Sequence, residues 1–242
     1  MSSLRAVIDL VTPRLRQAAT VMWAAEPAAE RYLDWLRAAY DLVRATTPLL
    51  AEAMTACVRL SEPALAAYFA GQITDEFGHE RWLEEDWAAT GRDPAELTER
   101  VPGPAAARLA GTQYYWIRHA HPAALLGHIA VLEWLPPRPG LVTDLVRRTG
   151  FGAAAFRTIT RHGDLDAEHG QRLDRLLAHL PLTGVAHRLV TTSALTTALG
   201  LVELMTEIGG RHGQSAAFGA AGVHPAPSLG GADLHHRIAE RR

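Results

Sequence analysis

Apolar residues recur along this chain every three or four positions, which is the spacing of one face of an α-helix. Alternation of apolar and polar residues with the period of a β-strand is missing, and alanine and leucine are abundant. Proline and glycine separate the periodic stretches. The pattern predicts an all-α protein with helices over residues 30–57, 63–89, 104–120, 122–135, 141–148, 152–180 and 184–208.

Helix-ending signals predict where two of the helices end. Thr90-Gly91 is expected to end the second helix, and Gly209-Gly210 is expected to end the last one. From about residue 213 onward the chain is rich in Gly, Ala, Ser and Pro, a composition typical of a loose segment. The sequence therefore predicts a helical domain over residues 1–212 and a flexible C-terminal tail over residues 213–242.

The composition excludes several kinds of chemistry. All 24 basic residues are arginine, so a lysine Schiff base and a phosphate-binding loop lysine are both ruled out. Cys57 is the one cysteine, which excludes an internal disulfide and a cysteine-based metal cluster. The formal net charge of −2 gives no sign of nucleic-acid binding.

The expected location in the cell follows from the absence of recognisable targeting signals. The first residues do not have the pattern of a signal peptide, because Asp9, Pro13 and Arg14 interrupt the apolar positions. No run of eighteen unbroken apolar residues occurs, so no membrane span is expected. We therefore expect a cytoplasmic protein with no membrane partner.

Three of the predicted helices carry ionisable residues inside their apolar stripes. Glu76 and His79 stand at helical spacing between Phe69 and Leu83. Glu133 shares a face with Leu126 and Ile129, one turn before Pro136-Pro137. The third stripe is the most regular, with steps of three and four through Ile159, His162, Asp166, His169, Leu173, Leu176 and Leu180.

These interruptions predict a metal site with two ions. An ionised carboxylate buried alone costs several kcal/mol, and metal ions bound by carboxylates and neutral imidazoles would remove that cost. His162 and His169 are about 10 Å apart along their helix axis, which is too far for one ion but suits ligands of two ions from opposite sides. The predicted metal ligands, which are also the predicted catalytic residues, are Glu76, His79, Glu133, His162, Asp166 and His169.

The same residues resemble a known family. Three motifs follow one another along the chain: Glu76-x-x-His79, then Glu133 in a helix that ends at Pro-Pro, then His162-x-x-x-Asp166-x-x-His169. This succession is similar to that of the haem-oxygenase-like di-iron oxidases and oxygenases. The resemblance covers roughly residues 28–208. It implies a seven-helix bundle that holds two irons between three core helices.

The resemblance also implies roles for the residues. Glu76, His79 and His162 would hold one iron, and Asp166 and His169 the second, with Glu133 on that side or bridging the two ions. Which carboxylate bridges is left open.

Members of this family bind Fe(II), react with O2 and oxidise a small metabolite, mostly in specialised metabolism. Their reactions include N-oxygenation, desaturation and oxidative C–C cleavage. For this chain the expected substrate is an amino acid or a derivative, with a fatty acid second. The need for an electron donor and the formation of a homodimer are left open.

Two further predictions concern the surroundings of this site. Phe69, Gln72 and Ile129 are expected to line the substrate pocket, because they lie about one turn before ligands on the same faces. Gly163 follows His162 inside the third ligand helix and lowers its helix propensity by about 0.8–1 kcal/mol relative to alanine. We therefore hypothesise that this helix becomes ordered when metal binds.

Four alternatives compete with the di-iron interpretation. A ferritin-like carboxylate bundle would take its missing carboxylate from Glu26 or Glu30, although His162 is surplus to that scheme. A haem oxygenase needs a histidine early in the chain, whereas the first here is His79. A cofactorless or thiaminase-like enzyme would use a nucleophilic cysteine, but Cys57 lies among small apolar residues. The fourth is a helical binding module with a structural metal.

Overall fold

The computed structural model describes residues 3–134, 136–180, 182 and 184–218, except the side chains of 3, 164–168 and 211–218. The prediction of an all-α protein is confirmed, because these residues form ten α-helices, one 3₁₀ helix and no strand. The α-helices are α1 Ser3–Ala24, α2 Ala28–Arg59, α3 Pro63–Glu76, α4 Glu80–Ala89, α5 Ala95–Thr98, α6 Pro104–His119, α7 Ala124–Glu133, α8 Leu141–Thr149, α9 Arg157–His179 and α10 Gly184–Phe218, and the 3₁₀ helix is Ala153–Phe156.

The chain divides into two units, Met1–Gly210 and Arg211–Arg242. The first unit contains all six predicted ligand positions. Of the second unit, the structure describes only the helical backbone of residues 211–218. Most of the predicted tail, residues 213–242, therefore lies outside the described residues, and its flexibility stays a prediction.

The first unit is organised around the long helix α2. This helix packs against α1, α3, α4, α6 and α8. It contributes to two apolar clusters, with Leu50 in the first and Tyr32 and Leu36 in the second. Helix α9, which carries the third stripe, packs against α4 and α7. The three stretches that were predicted to carry ligands are therefore neighbours in the fold.

The predicted helix over residues 63–89 is wrong in its middle. Helix α3 ends at Glu76 and α4 begins at Glu80, so the chain has two helices there. The cause is local, because Phe77 is extended and Gly78 has a φ of +88°, a left-handed conformation that glycine adopts at little cost. Apolar spacing continues across the break, which is why the pattern alone does not reveal it.

The predicted end of the last helix at Gly209-Gly210 is also wrong, since α10 continues to Phe218. Two glycines weaken a helix by about 1 kcal/mol each relative to alanine but do not forbid it. Packing overrides this weak preference here: Ile208 is buried, and a Cβ on Gly209 would lie 3.6 Å from the Cα of Met22.

The predicted elements do not include an N-terminal helix, although the structure has one, α1. Helix α1 contains Pro13 and buries a helical stripe of Leu4, Ile8 and Leu15. Contacts with the rest of the core therefore outweigh the local cost of the proline.

Helix α10 is the most apolar long element. Its segment Gly184–Gly210 has a window of mean hydropathy 1.4 and is long and apolar enough to cross a membrane by length and composition, with 39% of that window buried inside the protein. Two of its buried residues are polar and bonded within the bundle: Ser193 donates to Gln113 at 3.0 Å, and Thr197 lies 3.0 Å from His128. The expectation that the chain has no membrane span stays a prediction.

Close approach of α7 to α10 depends on a single glycine. A Cβ on Gly127 would lie 2.0 Å from the carbonyl oxygen of Val190 and 2.8 Å from the amide nitrogen of Ala194. Both of these atoms belong to the backbone of α10, so a side chain at this position cannot be relieved by a rotamer change. Helix α7 must therefore move if Gly127 acquires a side chain.

We expect Gly127→Ala to lower the free energy of unfolding by about 3 kcal/mol or more, since overpacking against backbone typically costs about 1–3 kcal/mol and this contact is severe. Gly111→Ala is the matched control, because a Cβ there meets nothing within 4 Å in the middle of α6. It should raise stability by up to about 1 kcal/mol. Urea unfolding measures both changes, and equal stability of the two variants would contradict the packing argument.

Candidate metal centre

Glu76 and His79 lie on the two sides of the break between α3 and α4. Glu76 is the last residue of α3, and His79 immediately precedes α4. Although the helix is interrupted, the two side chains meet, with His79 Nδ1 at 3.0 Å from Glu76 Oε2. Both are largely buried, so the pair is enclosed by the bundle.

His162 of α9 approaches this pair. The ring centroids of His79 and His162 are 5.2 Å apart, and the rings are nearly perpendicular. Glu76, His79 and His162 each present one ligand atom, and these atoms all lie within 4.8 Å of one another. That spacing would allow one ion to contact all three side chains.

Glu133 and His169 form a second group with the same glutamate. Glu133 is the last residue of α7, and its Oε2 lies 3.4 Å from His169 Nδ1 of α9. Glu76 Oε1 lies 3.8 Å from the same His169 nitrogen. Ligand atoms of Glu76, Glu133 and His169 again lie within 4.8 Å of one another.

A glycine lets the end of α7 come close to α9. Gly170 follows His169, and a Cβ on it would lie 3.1 Å from the ring of Trp134, the residue after Glu133. Such a contact is tighter than ordinary packing. The small residue therefore leaves room for Trp134 beside the Glu133 and His169 pair.

Glu76 is common to both groups and divides its two oxygens between them. Oε2 faces His79, and Oε1 faces His169. The structure thus brings together five of the six predicted ligand residues. The side chain of the sixth, Asp166, lies outside the described residues.

The electrostatics of the site follow from burial among charged groups. Burial alone would raise the pKa of the Glu76 carboxyl, but the hydrogen bond with His79 and the charges of His79, His162 and His169 hold that pKa below its usual value. Burial lowers the pKa of His162, which favours the neutral imidazole. Contact with the Glu133 carboxylate raises the pKa of His169.

One carboxylate oxygen of the site has an ion-pair contact, with His169 Nδ1 at 3.4 Å, but no well-formed hydrogen bond. Glu133 Oε2 is buried and, among the described residues, receives no hydrogen bond of acceptable geometry. A buried acceptor of this kind costs free energy unless something satisfies it. An ion would satisfy it, and the nitrogen and oxygen donors of the two groups are those that iron accepts. The residues present therefore fit a metal centre.

Trp82 packs on two of these histidines, and the sequence analysis did not identify it. Its ring stacks on His79 with centroids 3.8 Å apart and meets His162 edge-on at 5.6 Å. The guanidinium of Arg161 lies 4.8 Å from the centroid of the Trp82 ring. The available signal was its position three residues after His79, which places both side chains on one side of a helix.

The three predicted pocket residues are all buried. Phe69 and Ile129 belong to one apolar cluster, and Gln72 donates a hydrogen bond to the Tyr68 hydroxyl at 3.1 Å. A cavity of about 240 Å³ lies elsewhere, between α6 and α10, and none of the three lines it. Their role as a substrate pocket stays a prediction.

Residues that the alternative interpretations require lie outside both groups. Glu26 pairs with Arg148 at 2.7 Å, and Glu30 lies 3.7 Å from Arg92. The Cys57 thiol is fully buried, and burial raises its pKa to about 12, which disfavours the nucleophilic thiolate.

Asp86 of α4 caps the N-terminus of the helix that carries His162 and His169. Its carboxylate is fully buried and accepts the backbone N–H groups of Arg157 at 3.0 Å and Thr158 at 2.9 Å. Burial raises the pKa of Asp86 to about 6, although these hydrogen bonds oppose the rise.

Comparison with known proteins identifies the family. The model of a family described as iron-containing redox enzymes matches residues 33–199, and the chain belongs to this family. The matched range includes all six predicted ligands. The prediction of an iron-containing oxidoreductase is therefore confirmed at this level.

A solved structure shows the fold. The chain is similar to a domain of unknown function with a haem oxygenase-like fold from Shewanella denitrificans OS217, with a TM-score of 0.76 and 16% identity. The similarity covers 91% of this chain and 97% of that one. It confirms the predicted haem-oxygenase-like fold. None of the curated proteins matches this chain.

The raised pKa of Asp86 predicts a pH dependence of stability. Since the folded-state pKa of about 6 exceeds the ordinary value of 3.8, the folded protein holds this proton more tightly than the unfolded chain does. The stabilisation is present at low pH and is lost as the pH rises through this window. Over the whole titration the loss should reach about 3 kcal/mol for metal-free protein, and most of it falls between about pH 4 and pH 7.

Asp86→Asn removes the titrating group and is the comparison for this prediction. As the pH rises, the free energy of unfolding of wild type should fall relative to that of Asp86→Asn. Urea unfolding at a series of pH values measures this difference. Parallel profiles for the two proteins would show that Asp86 does not titrate as proposed.

Proposed function

We propose that this protein is a non-haem di-iron oxidase or oxygenase that uses O2 to oxidise a small metabolite. The observation that carries the proposal is the position of Glu76, whose two oxygens face two separate groups of ligand residues. One isolated site would need only one of these groups. A shared carboxylate between two groups is the arrangement expected for two neighbouring ions.

In this proposal Glu76, His79 and His162 hold one iron, and Glu76, Glu133 and His169 hold the second. Asp166 joins the second group by its place in the predicted ligand pattern. The resemblance left open which carboxylate bridges, and proximity favours Glu76. Fe(II) bound here would supply electrons for the reduction of O2 and so for oxidation of the substrate.

The surrounding residues serve this chemistry by orientation and exclusion of water. Trp82 covers the His79 ring and restricts its rotation. His162 donates its Nδ1–H to the carbonyl of Thr158 at 3.1 Å, which leaves Nε2 with its lone pair for a metal. The lowered pKa of His162 favours the same neutral form.

The proposed substrate is an amino acid or a derivative, with a fatty acid as the second choice. The proposed reactions are N-oxygenation, desaturation and oxidative C–C cleavage. This part of the proposal rests on the resemblance to the di-iron oxidases and oxygenases. A competing, non-enzymatic function is a helical binding module in which the metal is only structural.

The shared position of Glu76 predicts unequal effects of two substitutions on iron binding. Glu76→Gln should reduce the bound Fe(II) from two equivalents to well under one, because both groups lose a charged ligand. His162→Ala should lose one equivalent, because His162 belongs to one group only. Anaerobic Fe(II) loading followed by metal analysis of the desalted protein measures both.

Glu52→Gln is the control for these measurements, since Glu52 pairs with Arg118 at 3.0 Å and belongs to neither group. It should retain two equivalents. Retention of two equivalents by Glu76→Gln would contradict the bridging role, and a wild-type protein that binds no iron would refute the di-iron function.

Oxygen use separates an enzyme from a structural metal protein. We expect wild-type protein loaded with Fe(II) to consume O2 faster when a suitable amino acid or fatty acid is present, whereas Glu76→Gln should consume O2 no faster than free Fe(II). An oxygen electrode gives the rate, and mass spectrometry of the substrate gives the product. Iron binding in full stoichiometry without such consumption would favour the structural role.

A further inference from the structure

The segment that starts at His79 and continues as α4 contacts α9 at two points. At one point the rings of His79 and His162 are 5.2 Å apart. At the other, Asp86 accepts the backbone N–H groups of Arg157 and Thr158. His79 and Asp86 are seven residues apart, which is two helical turns, or about 10 Å, along the same side of α4.

Asp86 supplies a cap that α9 lacks in its own sequence. The N-cap residue of α9 is Phe156, whose side chain makes no capping hydrogen bond. A helix N-terminus has free N–H groups and a partial positive charge, which a carboxylate satisfies. The carboxylate comes here from another helix and is fully buried, so it ties the two helices together.

The capped end of α9 is also where His162 is oriented. Thr158 donates its N–H to Asp86 at 2.9 Å, and its carbonyl lies 3.1 Å from His162 Nδ1. The contact with a carbonyl requires a proton on Nδ1, which leaves Nε2 free to bind a metal. The backbone of Thr158 therefore links Asp86 to the Nδ1 side of the His162 ring, the side opposite the nitrogen that is left free for a metal.

We propose that Asp86 is a positioning residue that holds the first turn of α9 in place and thereby presents His162 Nε2 to the group formed with Glu76 and His79. The proposal rests on the di-iron function in one respect, since the ligand that Asp86 positions is a ligand of the proposed centre. His169 lies three turns from the capped end, so its group depends much less on Asp86.

The test compares the two metal positions in Asp86→Ala and Asp86→Asn. Anaerobic titration with Co(II) should resolve two affinities, and His162→Ala identifies the one that depends on His162. Asp86→Ala should weaken that affinity by about tenfold or more and leave the other unchanged, in line with the effect of groups that orient a metal ligand. Asp86→Asn keeps an acceptor oxygen and should have a smaller effect.

The matched control is Asp93→Ala. Asp93 also accepts the backbone N–H of a following residue, Ala95 at 2.9 Å, but it caps the short helix α5, which carries none of the predicted ligands. This variant should leave both affinities unchanged. If Asp86→Ala weakened both affinities equally, or neither, the positioning role would be refuted.

A second measurement tests the positioning role of Asp86 in metal-free protein. The nitrogen chemical shifts of the His162 imidazole should show the Nδ1–H form in wild type and a mixture of the two neutral forms in Asp86→Ala. An unchanged form in Asp86→Ala would overturn the proposal. This measurement of the imidazole form needs no metal, so it tests the role of Asp86 even if wild-type protein binds fewer than two ions. Binding of fewer than two ions would instead refute the di-iron function.

Discussion

The buried carboxylate of Glu76 is the constraint around which the site is built. One oxygen faces His79 and the other faces His169, and the group lies in the interior of the bundle. A buried ionised carboxylate is stable only when charge and hydrogen bonds compensate its loss of water. Histidines from two helices supply part of that compensation, and the proposed iron ions supply the rest.

Several local features of the chain serve this arrangement. The left-handed Gly78 ends α3 so that Glu76 and His79 stand at the ends of two helices rather than within one. Glycines at 127 and 170 let α7 approach α10 and α9 closely, which positions Glu133 at the end of α7. Asp86 lies in the second half of α4, away from the break at Phe77-Gly78, and holds the start of α9. Each feature acts through the placement of a ligand.

The sequence predicted the fold, and it predicted the five candidate ligands that the structure brings together, because both depend on short-range periodicity. Helical spacing placed Glu76 with His79 and placed His162 with His169 on one stripe of α9. It could not reveal the break at Phe77-Gly78, because apolar spacing continues through it. The sharing of Glu76 between two groups was also hidden, since it arises from contacts with Glu133 and His169, which are far from Glu76 in the sequence.

The supporting residues were missed for a related reason. Asp86 acts on backbone N–H groups some seventy positions away, and no local pattern encodes such a contact. Trp82 was closer to detection, because it follows His79 by three residues and stacks on it. Long-range partners of a ligand are therefore the part of a site that sequence periodicity predicts least well.

The most direct test of the central claim is anomalous X-ray diffraction at the iron edge from crystals loaded anaerobically with Fe(II). The account predicts two iron peaks about 3.5–4 Å apart on either side of Glu76, one beside His79 and His162 and the other beside Glu133 and His169. A single peak bound by only one of these groups, or iron bound elsewhere, would contradict it.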